Sequence, residues 1–146
     1  RIRDGLVRFG EHYADRILAP AEHAGYYASR DPARFLAKCF AAKEAFAKAV
    51  GSGMRHPVSF QRIGVTHDGL GKPVLQFDEA LRTYLAQLGI NGHHLSISDE
   101  RDMIVAFVVL RPAVGAAPPK SSDRLSVPAT CRSRTAADNR AASLMR

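Results

Sequence analysis

The amino-acid sequence predicts an α+β domain, in which helices pack against a small antiparallel sheet. In the N-terminal half, apolar residues recur every three or four positions, which is typical of amphipathic helices. In the C-terminal half, short apolar or alternating segments are separated by glycine, proline and aspartate, which is typical of strands and turns. Together, the two patterns indicate a mixed fold of helices and strands.

Three segments of the N-terminal part have the features of helices. Residues 2–18 carry apolar side chains at helical spacing and are predicted to form one amphipathic helix. A second short helix is expected after Pro20. Asp31 and Pro32 have the order of an N-cap and a first helical residue, so they open a longer helix. This helix is predicted to end close to Gly51.

Strand-like segments begin at residue 58. The first is predicted over residues 58–67 and is followed by a glycine-rich turn over residues 68–73. A short strand over residues 74–77 comes next. Residues 78–88 return to helical spacing, and that helix is predicted to stop at Gly89.

The last two strands are predicted over residues 94–98 and 103–110, as a hairpin around residues 99–102. Segment 103–110 is apolar throughout, so we predict that it is a central strand of the sheet. Strand alternation along the first segment puts His94, Ser96 and Ser98 on one face, and Leu95 and Ile97 on the other.

The composition changes after Pro112. Alanine, proline, serine and arginine dominate the remaining segment, and its apolar periodicity is lost. Such a segment cannot bury a core. The sequence therefore predicts a folded domain over residues 1–112 and a disordered tail over residues 113–146.

Length and composition limit the classes of function. The 146 residues suffice for one domain, and no run approaches the roughly 20 apolar residues of a membrane span. No secretory signal is visible, and Cys39 and Cys131 have no metal-type spacing, so we expect a reducing, cytoplasmic setting. The net charge of +7 suits an anionic partner, but no nucleic-acid-binding motif is present, so no specific nucleic-acid partner is expected.

Glu44 and Lys48 are four residues apart in the long helix, which places a carboxylate and an ammonium on one helix face. The helix leads into Gly51, Ser52 and Gly53, a loop expected to have free backbone N–H groups. A carboxylate can hold a divalent metal ion, an ammonium can meet phosphate, and glycines let a ligand approach closely. A solvated surface pair followed by a glycine cap is the alternative, and the pattern by itself favours that alternative.

The string FAAKEAFAKA over residues 40–49 resembles a signature of the holo-acyl-carrier-protein synthases, which are small phosphopantetheinyl transferases. In that family, a helix with the pattern F-[AS]-x-K-E-A-x-x-K-A is followed by a glycine-rich turn. The resemblance continues in the same order and covers roughly residues 1–111. Its further segments are Ser59-Phe60, Gly71-Lys72-Pro73 and residues 94–98.

The resemblance implies a 4′-phosphopantetheinyl transferase-like fold and a homotrimer with active sites between subunits. It implies transfer of 4′-phosphopantetheine from coenzyme A to a serine of apo-acyl carrier protein, which gives holo-acyl carrier protein for fatty acid biosynthesis. Glu44 matches the family's carboxylate ligand of Mg²⁺. Lys48 matches a lysine that contacts phosphate first and assists proton removal from the serine second.

The resemblance also implies binding roles. Gly51, Ser52 and Gly53 match the loop that lies against coenzyme A. His94 matches a contact to the phosphate of the nucleotide, although a lone strand histidine is more often structural. Arg1 and Arg8 resemble the basic surface that receives the acidic helix of acyl carrier protein, and a solvated helix face is the alternative.

Two departures from the family pattern affect these expectations. The family begins with a strand G-[IL]-D-[IL]-x-E, whose aspartate is a second metal ligand, and this chain begins after that position. We therefore expect an N-terminally truncated domain. The family usually has arginine where this chain has Cys39, so we also expect weaker binding of coenzyme A. Two other hypotheses stay open: a non-catalytic module that binds carrier protein without metal chemistry, and a small basic nucleic-acid binder.

Overall fold

A computed structural model describes residues 1–101 and 103–115 of the chain. Within these residues, helices and antiparallel strands form the predicted α+β fold. The helices are α1 (Ile2–Phe9), α2 (Glu11–Asp15), α3 (His23–Ala28), α4 (Pro32–Val50) and α5 (Glu79–Gln87). The strands are β1 (Ile63–His67), β2 (Pro73–Phe77), β3 (Ile90–Asp99) and β4 (Ile104–Pro112), and 3₁₀ turns span Pro20–Glu22 and Phe60–Arg62. From residue 116 onward, the predicted tail lies outside the described residues.

The N-terminal segment forms two helices, so the prediction of one helix over residues 2–18 is wrong. α1 and α2 are separated by Gly10, which has φ 60° and ψ −148°. This conformation suits glycine and interrupts the helical hydrogen bonds. Beyond the break, the Tyr13 ring folds back onto Gly5, where an added Cβ would lie 2.6 Å from the ring carbons. A side chain at position 5 would therefore displace the Tyr13 ring.

α4 is the longest helix, and both of its predicted ends are confirmed. The Asp31 side chain caps it by accepting a hydrogen bond from the Arg34 N–H at 3.0 Å. Gly51 ends it with φ 84°, in the left-handed region that glycine favours. The helix packs between two apolar clusters. The first, which includes Phe46, joins α4 to the four strands and α5, and the second, which includes Leu36, joins it to α1, α2 and α3.

The strands form two antiparallel pairs, β1 with β2 and β3 with β4. The strand predicted over residues 58–67 begins only at Ile63, because residues 60–62 form a 3₁₀ turn. Val58 is buried before that turn, so its apolar character reflects packing rather than strand pairing. The predicted hairpin of β3 and β4 is confirmed, and both strands are longer than expected.

The two faces of the β3–β4 hairpin differ in burial. The inner face carries Leu95 opposite Val108, and both contact the cluster that includes α4. The outer face exposes Val105, Phe107 and Val109 by 48%, 67% and 46%. Among the described residues, β4 pairs with β3 alone, so the prediction of a central strand is wrong. The strand is apolar throughout because its inner face packs on the core and its outer face carries an exposed apolar row.

Candidate active site

Glu44 and Lys48 lie side by side on α4, as their spacing predicts. The Lys48 Nζ is 3.8 Å from the Glu44 Oε2, and their side chains are 77% and 33% exposed. Because both groups reach solvent, each can exchange its partner for a ligand. The pair stands in the last two turns of the helix, just before the loop of residues 51–53.

The loop of residues 51–53 closes the helix more tightly than the sequence indicates. The Gly51 N–H donates to the carbonyls of Ala47 and Lys48 at 3.1 Å, and the Gly53 N–H donates to Ala47 at 3.3 Å. The expectation of free N–H groups is therefore wrong for both glycines, because they cap the last turn of α4. A Cβ added at either glycine would meet no atom within 4 Å, so the space beside the loop is open to a ligand.

His94 lies on the outer face of the hairpin, where it is exposed and opposite Val109. The predicted alternation along β3 is confirmed, since Leu95 is buried on the inner face. α4 packs on that inner face, so a single chain does not bring His94 together with Glu44. The neighbouring His93 faces inward, accepts a hydrogen bond from the Leu75 N–H at 3.2 Å, and has its pKa lowered by burial and then by His94.

Arg1 and Arg8 both lie at the surface, Arg1 directly before α1 and Arg8 in its last turn. The Arg8 guanidinium lies 5.1 Å above the Phe9 ring. Val7 and Phe9 beside them are exposed. This end of the molecule therefore combines positive charge with apolar surface.

A buried ion pair next to the candidate site was not predicted from the sequence. Lys43 directly precedes Glu44, yet its side chain is fully buried and contacts the equally buried Glu22. Burial lowers the pKa of Lys43, and the Glu22 carboxylate acts in the opposite direction. The position of Lys43, four residues after Cys39 and seven after Leu36, places it on the apolar stripe of α4, which is the signal that could have found it.

Asp99, the last residue of β3, forms ion pairs with the first half of α4. Its carboxylate lies 2.6 Å from Arg34 and 3.3 Å from Lys38. The hydrogen bond from Arg34 lowers the pKa of Asp99 below its ordinary value. Cys39, next along the helix, is buried in the second apolar cluster, and burial raises the pKa of its thiol. Position 39 therefore faces the core in this chain, and weaker binding of coenzyme A stays a prediction.

The described residues contain no group of three or more histidine, cysteine, aspartate or glutamate side chains placed to hold a metal ion. Glu44 by itself offers one accessible carboxylate. One carboxylate fits Mg²⁺ when phosphate oxygens and water complete its ligands, which is how this ion is commonly held. The described helices include none that is long and apolar enough to cross a membrane.

A sequence model of the 4′-phosphopantetheinyl transferase superfamily matches residues 1–107, which span the fold from α1 into β4. The chain therefore belongs to this superfamily. Within it, the relatives are holo-[acyl-carrier-protein] synthases, as the resemblance predicted. That of Thiobacillus denitrificans is 62% identical over 110 residues, which are 75% of this chain and 84% of that protein.

Solved structures agree with this relationship. The crystal structure of holo-[acyl-carrier-protein] synthase from Neisseria meningitidis has a TM-score of 0.74 at 49% identity, over 76% of this chain and 89% of that one. The Helicobacter pylori synthase, solved in complex with coenzyme A, has a TM-score of 0.66 at 27% identity, over 76% of this chain and 91% of that one. The predicted fold is therefore confirmed.

Proposed function

We propose that the chain transfers the 4′-phosphopantetheine group from coenzyme A to a serine of apo-acyl carrier protein, giving holo-acyl carrier protein for fatty acid biosynthesis. The observation that carries this proposal is the match over residues 1–107, which includes the helix with Glu44 and Lys48. We place the transferase domain at residues 1–112 and, because the reaction uses coenzyme A, in the cytoplasm.

The reaction requires that a charged diphosphate be neutralised and that a serine hydroxyl be aligned with the phosphorus atom. The partly exposed Glu44 carboxylate is the residue that would hold Mg²⁺. When bound, this ion supplies positive charge to the diphosphate oxygens. Lys48 extends into solvent one helical turn later and adds a second positive charge from the protein. We therefore assign Lys48 to contact phosphate first, and to assist removal of the serine proton second.

The loop of Gly51, Ser52 and Gly53 is assigned to contact with coenzyme A. Open space beside both glycines lets a flat or extended ligand lie against the backbone. The loop is held in place by its hydrogen bonds to the end of α4, so it does not need to reorganise when a ligand binds.

A homotrimer would bring His94 to the active site of a neighbouring subunit. His94 shares the outer face of the hairpin with Phe107, which is 67% exposed, and with Val105 and Val109. An exposed apolar row of this kind is favourably covered by a second copy of the chain. Sedimentation equilibrium tests this assembly: a trimer is expected, and the Phe107→Lys variant should sediment as a smaller species.

Carrier protein is assigned to the surface of α1. Arg1 and Arg8 offer positive charge to an acidic helix, and Val7 and Phe9 offer apolar contact beside it. The exchange of Arg8 for glutamate should raise KM for carrier protein and leave KM for coenzyme A unchanged.

The decisive experiment incubates the chain with coenzyme A, Mg²⁺ and apo-acyl carrier protein, and then determines the mass of the carrier protein. A gain of one phosphopantetheine group is expected. Glu44→Gln should abolish most of the gain, whereas Glu79→Gln, which alters another exposed helical carboxylate, should not. No gain with the unmodified chain would contradict the proposal.

A non-catalytic module that binds carrier protein is the second candidate. The observation that favours it is that, among the described residues, Glu44 belongs to no group of three or more histidine, cysteine, aspartate or glutamate side chains placed to hold a metal ion. This candidate predicts that carrier protein binds, as measured by calorimetry, while its mass stays unchanged in the same incubation.

A further inference from the structure

Two opposite charges lie in the interior of the N-terminal half, beside the helix that carries the candidate active site. The Lys43 side chain is 0% exposed and the Glu22 side chain is 2% exposed, and their Nζ and Oε2 atoms are 2.5 Å apart. Neither side chain can contact coenzyme A or carrier protein, because both are buried. Any effect of the pair on the reaction must therefore be transmitted through other residues.

The pair ties together four segments of the chain. Lys43 Nζ also donates to the Ile17 carbonyl at 2.7 Å, just after α2. Glu22 Oε2 accepts from the Ala19 N–H at 2.6 Å, and Glu22 Oε1 accepts from the Val65 N–H of β1 at 2.8 Å. α4, β1, the 3₁₀ turn and the end of α2 thus meet at one pair of side chains.

Stability alone does not account for this arrangement. Taking two charges out of water is costly, and apolar side chains of similar volume commonly stabilise a core as well or better. Hydrogen bonds supply a property that apolar contacts lack, since they are directional and weaken steeply when the angle changes. A helix held by apolar contacts can roll or slide slightly, whereas a helix held by this network cannot.

The hydrogen-bond network of Lys43 holds α4 directly beside Glu44, so it determines the rotation of the helix at the candidate site. Lys43 is the residue immediately before Glu44, so the direction of one side chain sets that of the next at about 100° around the helix. With Lys43 held inward toward Glu22, Glu44 and Lys48 are turned to the surface, where they are 33% and 77% exposed.

We propose that Lys43 and Glu22 are positioning residues, which hold α4 at one rotation and so aim Glu44 and Lys48 at the ligands of the transfer reaction. This inference rests on the proposed function. In this proposal, the buried pair orients the catalytic side chains, and this effect is distinct from any contribution of the pair to the stability of the fold.

The double variant Glu22→Gln/Lys43→Met tests the proposal, because it removes both charges together and leaves none unpaired. We expect it to fold, by circular dichroism and thermal unfolding, with kcat reduced about tenfold or more and KM for coenzyme A nearly unchanged, as for residues that orient ligands of a metal site. The affinity for Mn²⁺ as a Mg²⁺ substitute, measured by electron paramagnetic resonance with coenzyme A present, should fall by a similar factor.

Leu36→Ala is the matched control, since Leu36 is buried on the same helix but its apolar side chain takes no part in the hydrogen bonds of the network. It should lower the thermal midpoint while kcat, measured below that midpoint, stays near that of the unmodified chain. If the double variant does not fold, Glu22→Asp is measured instead, because it keeps both charges but shortens the side chain that links α4 to β1. A several-fold loss of kcat is expected there, and an unchanged kcat would overturn the inference.

The outcomes separate the two proposals. An unmodified chain that transfers nothing overturns the proposed function, and this inference with it. An active chain whose folded double variant keeps its kcat and Mn²⁺ affinity overturns this inference alone. An equal loss of kcat in Leu36→Ala would also overturn it, because the pair would then act only through stability.

Discussion

Two carboxylate–ammonium pairs involve α4, and they differ in burial rather than in chemistry. Glu22 and Lys43 are 2.5 Å apart with almost no exposure, whereas Glu44 and Lys48 are 3.8 Å apart and reach solvent. The buried pair has all of its partners inside the protein, and the exposed pair shares its charge with water. The same two side-chain types therefore provide rigidity in one place and access for a ligand in the other.

Substitutions in the two pairs should also differ in their effect on the free energy of unfolding. Breaking one member of a buried pair leaves an uncompensated charge in the core, which is strongly destabilising. An exposed pair on a helix contributes only about 0.3–0.5 kcal/mol to stability. Single substitutions in the buried pair should thus lower the free energy of unfolding as well as activity, whereas substitutions in the exposed pair should lower activity and leave the free energy of unfolding nearly unchanged.

The largest effect is expected for Lys43→Met, which leaves the Glu22 carboxylate buried without its counter-charge. The free energy of unfolding should fall by about 3–5 kcal/mol, measured by urea unfolding. Adding Glu22→Gln should recover most of that loss. A loss in the single variant below about 1 kcal/mol would show that the pair does not contribute as a buried charge pair does.

Glu44→Gln should affect activity and spare the fold. Transfer should slow on the order of 100-fold, or about 2.7 kcal/mol of barrier, because Mg²⁺ would lose a negatively charged ligand and would be held less well beside the diphosphate. The urea midpoint should stay within the error of the unmodified chain. Initial rates of carrier-protein modification at saturating Mg²⁺ provide the measurement, and a rate like that of Glu79→Gln would contradict the assignment.

Lys48→Met should have a smaller effect in the same direction. A long exposed ammonium contributes one positive charge to phosphate binding, so kcat/KM for coenzyme A should fall about tenfold, or about 1.4 kcal/mol. Arg82→Met removes an exposed cation from α5 and serves as the control. A drop that appears only in KM for carrier protein would place Lys48 on the docking surface instead.

The smallest effect concerns pH and the inward-facing His93. Burial lowers the pKa of His93, and its ring nitrogen accepts the Leu75 N–H, which a protonated imidazole cannot do. The unfolded chain therefore binds this proton at higher pH than the folded chain does. Stability from the neutral ring is fully present above the unfolded pKa of about 6.5, and it is lost as the pH falls from there toward the lower folded value.

Urea unfolding between pH 8 and pH 5 measures this dependence. The unmodified chain should lose stability on the acid side, and His93→Gln should lose less over the same interval. An identical slope in His94→Gln and His93→Gln would contradict the assignment, because His94 is exposed on the outer face.

Sequence patterns predicted the parts of the fold that depend on near neighbours. The cap at Asp31 and the glycine at position 51 set the ends of α4 through local hydrogen bonds, and both were predicted correctly. The break at Gly10 was missed, although a glycine was visible there. The break lets the Tyr13 ring lie against Gly5, and this contact exists only once the two helices have folded together.

The candidate site likewise has features that local sequence spacing predicts and features that it does not. The pairing of Glu44 with Lys48 follows from helical spacing, and so it was predictable. The N–H groups of the loop at residues 51–53 were expected to be free, but the loop turns back and uses them to cap α4. The apolar run of β4 predicts a central strand, and this prediction is wrong because a sequence pattern does not distinguish an exposed apolar row from one buried on both faces.

The sequence by itself determined the class of fold, the bounds of α4, the shared face of Glu44 and Lys48, and the alternation along β3. Only the tertiary structure decided that Glu22, 21 positions earlier in the chain, is the partner of Lys43. The physical reason is the separation along the chain of the residues that interact. Helical and strand periodicity is set by hydrogen bonds over a few residues, whereas burial depends on which distant segments come into contact.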